Sequence, residues 1–236
     1  MKMNSLEEIL TNNSFTRTKL PLSDPIVVHG VPGSGKTSAI EEIIKRDPFV
    51  TAISGGAALH NFDGSAIHRR DKDYIGNPRV IDEYPLFNDL IVDNSSLVFC
   101  DPFQHYNNTR KAHFVSFKTH RFGAETCSLL KVFNLDILSS KVDRVIFGCC
   151  YKEDPEGQIL AFEEDICSLL DKHGIEYKSP ENILGANCDK VTFYTSKEQL
   201  FRDDPDFWKF YICMTRHREK LKILSPNATF TAARSF

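Results

Sequence analysis

Ile26-Val-Val-His-Gly30-Val-Pro-Gly33-Ser34-Gly35-Lys36-Thr37 passes from an apolar run through a glycine-rich turn, and Ile40, Ile43 and Ile44 beyond it share one helical face. Gly30 to Thr37 follows the pattern G-x-x-x-x-G-K-[ST], a phosphate-binding loop, and its strand-turn-helix setting is the one that pattern requires. Each residue type has a physical reason. Glycines at 33 and 35 permit backbone angles and close approach that a Cβ would block. The N–H groups around Gly33, Ser34 and Gly35 can then wrap a phosphate at the positive end of a helix. Lys36 supplies a point charge for β- and γ-phosphates, and Thr37 offers a hydroxyl to Mg²⁺.

Outward from this loop, short apolar runs alternate with helical patterns. The runs are Ile26–His29, Val50–Ser54, Arg79–Ile81, Leu97–Cys100, Phe114–Phe117, Val142–Tyr151 and Val191–Tyr194. Helix-like stretches include Lys36–Lys45 and Ile159–His173, the second with Ile166, Leu169 and Leu170 on one face. Continuous apolar strands between amphipathic helices predict an α/β fold whose parallel sheet is covered on both faces.

Composition narrows the class. At 236 residues, 41% hydrophobic and 26% charged, the chain is long enough for one large or two modest domains and is unlike a disordered protein. No apolar run reaches the roughly 18 residues of a membrane span. The start, MKMNSLEEILTNNSF, lacks the uninterrupted apolar core of a secretory signal, so an intracellular protein is expected. Seven cysteines without paired spacing predict free thiols in a reducing compartment, and no cysteine–histidine spacing suggests a metal cage. Formal charge is −3, so a nucleic-acid partner has to be argued from a local patch.

Further pieces of a nucleotide site follow in order. Asp82 closes the Val80-Ile81 run and is placed to hold Mg²⁺, with Glu83 beside it as general base for the attacking water. Asp101-Pro-Phe-Gln104 follows another apolar run and would bring a glutamine amide to the γ-phosphate. His120-Arg121-Phe-Gly123 and Met214-Thr-Arg216-His-Arg218 each carry an arginine that a second lobe could direct at a nucleotide held by the first. Read alone, each of these pieces is also compatible with an ordinary strand end, a polar turn or a basic helix end.

Taken together, Gly30–Thr37, Thr51–Gly56, Asp82-Glu83-Tyr84, Asp101–Gln104, His120–Gly123, Gly185 through Val191-Thr192 and Tyr211–Leu221 resemble superfamily 1 RNA helicases of positive-strand RNA viruses. The likeness is greater to the triple-gene-block movement proteins of flexible filamentous plant viruses, and runs from about residue 26 to 224. That resemblance implies two RecA-like lobes, residues 1–118 with the phosphate loop and residues 119–236 supplying arginine fingers. It implies ATP and Mg²⁺ as cofactors, Gly33, Ser34, Gly35, Lys36 and Thr37 as the nucleotide-binding set, and Thr37 and Asp82 as metal ligands. Lys36, Glu83, Gln104, Arg121 and Arg216 are the implied catalytic group. Single-stranded viral RNA, the chain itself, viral coat protein, other movement proteins and host factors are the implied partners. The implied location is host cytoplasm and plasmodesmata, and the implied roles are movement of viral RNA between cells and suppression of RNA silencing. The sequence departs from the family in two places: Cys100 replaces the glycine common before the third motif's aspartate, and Leu184 precedes Gly185 where many relatives have glutamine.

Candidate nucleic-acid contacts are Ser54-Gly55-Gly56-Ala57, then His60, Phe62, His68, Arg69 and Arg70. A basic cluster of Lys209, Arg216, Arg218, Lys220 and Lys222 is a further candidate. Trp208, Phe210, His29 and Cys149-Cys150 are expected to be packing residues. Two hypotheses remain open, an RNA-stimulated NTP-hydrolysing helicase and an RNA- and partner-binding movement and silencing-suppressor protein with a weak or vestigial NTPase. A GTPase or nucleotide kinase is disfavoured, because Asn187-Cys-Asp-Lys190 is not the Asn-Lys-x-Asp that reads guanine.

Overall fold

The computed structural model describes residues 3–56, 59–60, 66–69, 79–106, 109–227 and 231–232. The chain divides into two compact units, Met1–Lys118 and Thr119–Phe236.

The first unit runs α1 (Met3–Asn12), β1 (Thr16–Arg17), β2 (Ile26–Gly30), α2 (Lys36–Arg46), β3 (Ala52–Ser54), β4 (Leu59–His60), β5 (Ala66–Arg69), β6 (Val80–Asp82), α3 (Asp89–Asp93), β7 (Leu97–Cys100) and β8 (Phe114–Ser116). Its sheet has the order β1-β8-β2-β7-β6-β3-β5-β4. From β8 to β5 all pairings are parallel, and the edge strands β1 and β4 are antiparallel. The period-2 geometry of a strand sends alternate side chains to opposite faces. Ile26, Val28, Ala52, Val80, Leu97 and Phe99 therefore pack under α1 and α2, which contribute Leu6, Ile9, Leu10, Ile40, Ile43 and Ile44. Val27, Ile53, Ile81 and Val98 fill the other face with Tyr84, Phe87 and Val92. Each such side chain contributes about 1.5–3 kcal/mol on burial. Because the central strands are parallel, their carboxyl ends share one edge. Gly30, Ser54, Asp82 and Cys100 all end there, and β7 lies between β2 and β6.

The second unit comprises β9 (Lys118–Thr119), α4 (Ala124–Lys131), β10 (Leu138–Ser139), β11 (Arg144–Cys149), β12 (Gln158–Leu160), α5 (Glu164–Lys172), β13 (Cys188–Tyr194), β14 (Gln199–Leu200), α6 (Phe207–Met214), β15 (His217–Ser225) and β16 (Thr231–Ala232). Its main sheet, β11-β15-β13-β12, is parallel throughout. Ile166 and Leu170 of α5 pack on Ala161, Tyr194 and Leu224. Phe210 of α6 meets Phe193 and Phe162 edge-on, at 5.7 and 4.8 Å between ring centres. Phe210 is a packing residue, and Trp208 beside it is half-buried.

Two expectations about elements need correction. Ile159–His173 is not one helix: Gln158–Leu160 pairs in parallel with Val191–Phe193, and the helix starts only at Glu164. Apolar runs of this length suit strand or helix alike, and here the free edge of β13 decided. Val142–Tyr151 is not a strand buried on both faces: only Arg144–Cys149 forms β11, at the sheet edge with Phe147 40% exposed, while Val142 and Tyr151 flank it at 90% and 72%. Cys149 and Cys150 are accordingly half-buried. Among the described residues, no helix is long and apolar enough to cross a membrane.

A buried polar node ties α4 to β15. Gly123 has no side chain with which to cap α4, and Asp143 supplies the carboxylate instead, accepting from the Glu125 and Thr126 N–H groups at 2.9 and 3.4 Å. Its other oxygen meets His217 Nε2 at 3.1 Å, and the same nitrogen lies 2.9 Å from Thr126 Oγ1. Burial pushes the Asp143 carboxyl up, but hydrogen bonds from His217, Thr126 and the Gly123 N–H outweigh it and hold it at about 2. A carboxyl held below its unfolded-state value stabilises the fold fully above about pH 4, and less as pH falls towards 2. Asp143→Asn is expected to cost on the order of 1–3 kcal/mol at pH 7. In denaturant melts the gap to wild type should shrink between pH 4 and pH 2.5; a gap independent of pH would contradict the assignment.

Candidate functional site

The turn after β2 is built to leave its amides and one lysine at the sheet edge. Gly33 and Gly35 have φ of 75° and 94°, left-handed values that an L side chain resists. Ser34 is buried, and its hydroxyl lacks a hydrogen-bond partner. Lys36, the first residue of α2, folds its ammonium back onto the Gly30 and Val31 carbonyls at 2.7 and 3.4 Å. Thr37 is half-buried in the first turn of the helix.

Two strand ends away, Asp82 is half-buried, with one oxygen 3.5 Å from Ser54 Oγ and the other shut away from solvent without a hydrogen-bond partner. Burial, with the Glu83 carboxylate second, pushes its carboxyl up to about 7 although Lys36 pulls it down. Asp101, on the intervening strand end, is raised by burial and likewise opposed by Lys36. Gln104 is buried and donates to Asp101 Oδ2 at 2.8 Å. Glu83 adopts a left-handed φ of 54°, and its Oε2 accepts from His105 Nε2 at 2.7 Å. Behind them, His29 Nε2 lies 3.2 Å from the Tyr84 hydroxyl, which also accepts from the Arg110 N–H at 2.8 Å. His29 is thus a packing residue with a satisfied bond. Burial first, then Lys36, lowers its imidazole to about 4, so it stays neutral beside the lysine.

Two orphaned, buried oxygens, on Ser34 and Asp82, are what a phosphate and its divalent cation would satisfy; left alone, such groups cost about 1–3 kcal/mol each. The residues present therefore fit a magnesium nucleotide.

In the second unit the fold brings together two arginines from separate stretches of sequence. Arg121 donates to the Thr215 carbonyl at 3.3 Å, immediately before Arg216. Arg216 is 1% exposed. The predicted basic cluster, however, is largely neutralised. Lys209 pairs with Asp206 at 2.9 Å, Lys220 with Glu156 at 2.6 Å, and Lys222 with Glu153 and Glu156 at 3.2 and 3.6 Å. Only Arg218 of the five is exposed. A charge count along the chain does not see Glu153 and Glu156, which the connection between β11 and β12 brings onto the lysines of β15. The Ser54–Gly56 reading changes as well. The Gly55 N–H donates to the Asp82 carbonyl at 3.1 Å and the Gly56 N–H to Ser54 Oγ at 3.0 Å, so neither amide awaits a phosphate. Gly55 packs closely under Leu86: a Cβ there would lie 2.7 Å from its Cδ1 and 3.0 Å from its Cβ. His68 is exposed, while His60 and Arg69 lie on β4 and β5; Ala57, Phe62 and Arg70 fall outside the described residues.

The viral superfamily 1 RNA helicase core domain matches residues 26–225. The movement and silencing protein TGBp1 of Lily virus X is 38% identical over 212 residues, spanning 89% of this chain and 95% of its own. That of Apple stem pitting virus (isolate PA66) is 36% identical over 230 residues, spanning 94% and 100%. The chain belongs to the TGBp1 family of viral superfamily 1 helicases. Among solved structures, the arterivirus nonstructural protein 10 helicase matches with a TM-score of 0.58 at 18% identity, over 93% of this chain and 62% of that one. Its complex with DNA matches with a TM-score of 0.58 at 17% identity, over 95% and 64%. The chain thus spans less than two thirds of the arterivirus helicase, and the likeness is one of fold, a RecA-like helicase core.

Within this TGBp1-family site, the contribution of His105 was not legible in sequence. It sits directly after Gln104, but its partner is 22 residues away, and only the adjacency of β6 and β7 joins them. Asp82 yields a test. A carboxyl raised from 3.8 to about 7 destabilises the ligand-free fold progressively as pH rises through that interval. Asp82→Asn should therefore gain on the order of 1–3 kcal/mol at pH 8. The gain should be smaller at pH 4.5, and the stabilisation by Mg²⁺-nucleotide should be lost; thermal melts at both pH values decide.

Proposed function

We propose that this chain is a magnesium-dependent NTPase of helicase type that binds ATP at Gly33, Ser34, Gly35, Lys36 and Thr37. The observation that carries the reading is the buried cluster itself, Lys36 held ready on its own loop carbonyls beside a carboxyl, Asp82, with an unsatisfied oxygen. Mg²⁺ held by Thr37 and Asp82 would supply charge neutralisation at the β- and γ-phosphates. Glu83 orients and deprotonates the attacking water. Gln104 exchanges its bond to Asp101 for one to the γ-phosphate. Arg121 and Arg216 act as arginine fingers, a contribution of roughly 10³–10⁵-fold in related chemistry. Single-stranded viral RNA is the polymer on which this cycle works. In keeping with relatives named movement and silencing proteins, the chain serves viral movement and silencing suppression. The host cytoplasm and plasmodesmata are the proposed location of that work. Coat protein, other movement proteins, host factors and further copies of the chain are its partners in that role.

The second reading is an RNA- and partner-binding protein with weak NTPase, and one observation bears on where either would grip RNA. The lysines of β15 are paired with glutamates, which leaves little free positive charge for a phosphate track.

Calorimetry with Mg²⁺ and a non-hydrolysable ATP analogue, followed by single-turnover hydrolysis with and without single-stranded RNA, separates the two. Wild type should bind, and Lys36→Ala should not. Glu83→Gln should bind normally and hydrolyse about 10²–10⁴-fold more slowly. Arg216→Lys, which keeps the buried charge, should bind but lose most turnover. Hydrolysis indifferent to RNA favours the binding protein, and no nucleotide binding at all refutes both.

A further inference from the structure

We infer that His105 is a positioning residue for Glu83, holding the general base in its working orientation; the inference rests on the proposed role of Glu83. Among the described residues Glu83 is one of three non-glycine positions with a left-handed backbone, a conformation costing about 1–3 kcal/mol that persists only where surrounding contacts over-determine it. One contact on its carboxylate is His105 Nε2, at 2.7 Å, with the histidine side chain 4% and the glutamate 13% exposed. A nitrogen this close to a carboxylate oxygen carries the proton, so His105 donates and Glu83 accepts. With one oxygen anchored, the plane of the carboxylate is set. A base must lie within about 2.6–3.2 Å of the proton it takes, which a freely rotating glutamate would satisfy only part of the time.

The anchor is itself held. Asp101 accepts from the Phe103 N–H at 3.0 Å and from Gln104 Nε2 at 2.8 Å, which fixes the turn that delivers His105. Further along the same loop, Arg110 donates to Asp93 at 2.7 Å and Asp89 at 3.2 Å, and its N–H donates to the Tyr84 hydroxyl. The turn that delivers His105 is thus braced by its own hydrogen bonds on Asp101, and Arg110 beyond it is fastened to the segment that follows Glu83. A histidine whose duty was only to fill space would not need its ring nitrogen on the carboxylate.

The test compares His105→Phe, which keeps a ring without a donor, with His105→Gln, which keeps a donor, in the full chain. His105→Phe should slow single-turnover ATP hydrolysis about 10–100-fold. Its affinity for the Mg²⁺-bound ATP analogue should stay within about twofold of wild type, and His105→Gln should retain most of the rate. In a Glu83→Gln background, His105→Phe should have no further effect on the rate, a non-additivity that mere structural damage would not show. Should His105→Phe fold poorly, His105→Ala with added imidazole replaces it, and recovery of rate by imidazole supports the inference. A wild-type rate in His105→Phe alongside an inactive Glu83→Gln overturns the inference and leaves the proposed function standing. Slowing that is equally large with Glu83 absent, or no rescue by imidazole, also overturns it. Wild-type chain that binds nucleotide without hydrolysing it removes both.

Discussion

Parallel strands deliver their carboxyl ends to one edge of a sheet, and in the first unit that edge gathers more buried charge than a ligand-free core comfortably holds. Lys36 sits on carbonyl oxygens, while Asp82 and Asp101 are both raised by burial and only partly relieved by the lysine. The sheet around them is closely packed on both faces, which keeps water from solvating these groups. The arrangement therefore leaves charge that a bound anion and cation would balance, and this is where the proposed chemistry attaches to the fold.

The strand between the phosphate loop and the Asp82 strand gives that edge its organisation. β7 leads into Asp101, which restrains Gln104, and on to His105, which lies on Glu83. The side chains proposed as phosphate sensor and general base, Gln104 and Glu83, are thus both held from a single turn. Cys100, where family members commonly have glycine, is fully buried at the end of the same strand, in the core beneath Tyr84. The substitution is accommodated as packing. In the second unit the polar organisation is of another kind. Asp143, His217 and Thr126 form a closed structural node, and the lysines of β15 are balanced by glutamates rather than displayed. Even the exposed edge of β11 is partly protected, since the Val145 N–H donates to the Glu125 carboxylate at 2.7 Å.

The phosphate loop, the alternation of apolar runs and the acidic strand ends were legible because each depends on local chemistry: backbone angles at glycine, period-2 burial, a hydroxyl one residue from a lysine. What failed was non-local. Ile159-Leu160 reads as helix or strand until β13 offers an edge. The lysines after Arg216 read as a basic surface until Glu153 and Glu156 arrive from elsewhere in the chain, and Gly55 reads as a phosphate contact until Leu86 is placed against it.

The sequence by itself determined that this is a parallel α/β chain with a phosphate loop, since those features are written in residue types at fixed short spacing. Only the tertiary structure decided which charges face one another. It placed His105 on Glu83, Gln104 on Asp101 and Arg121 on the Thr215 carbonyl, because strand order, which no local pattern encodes, sets which chain ends become neighbours. Electrostatic pairing falls off over a few ångströms inside a protein, so the pairing of these groups became known only once those neighbours were known.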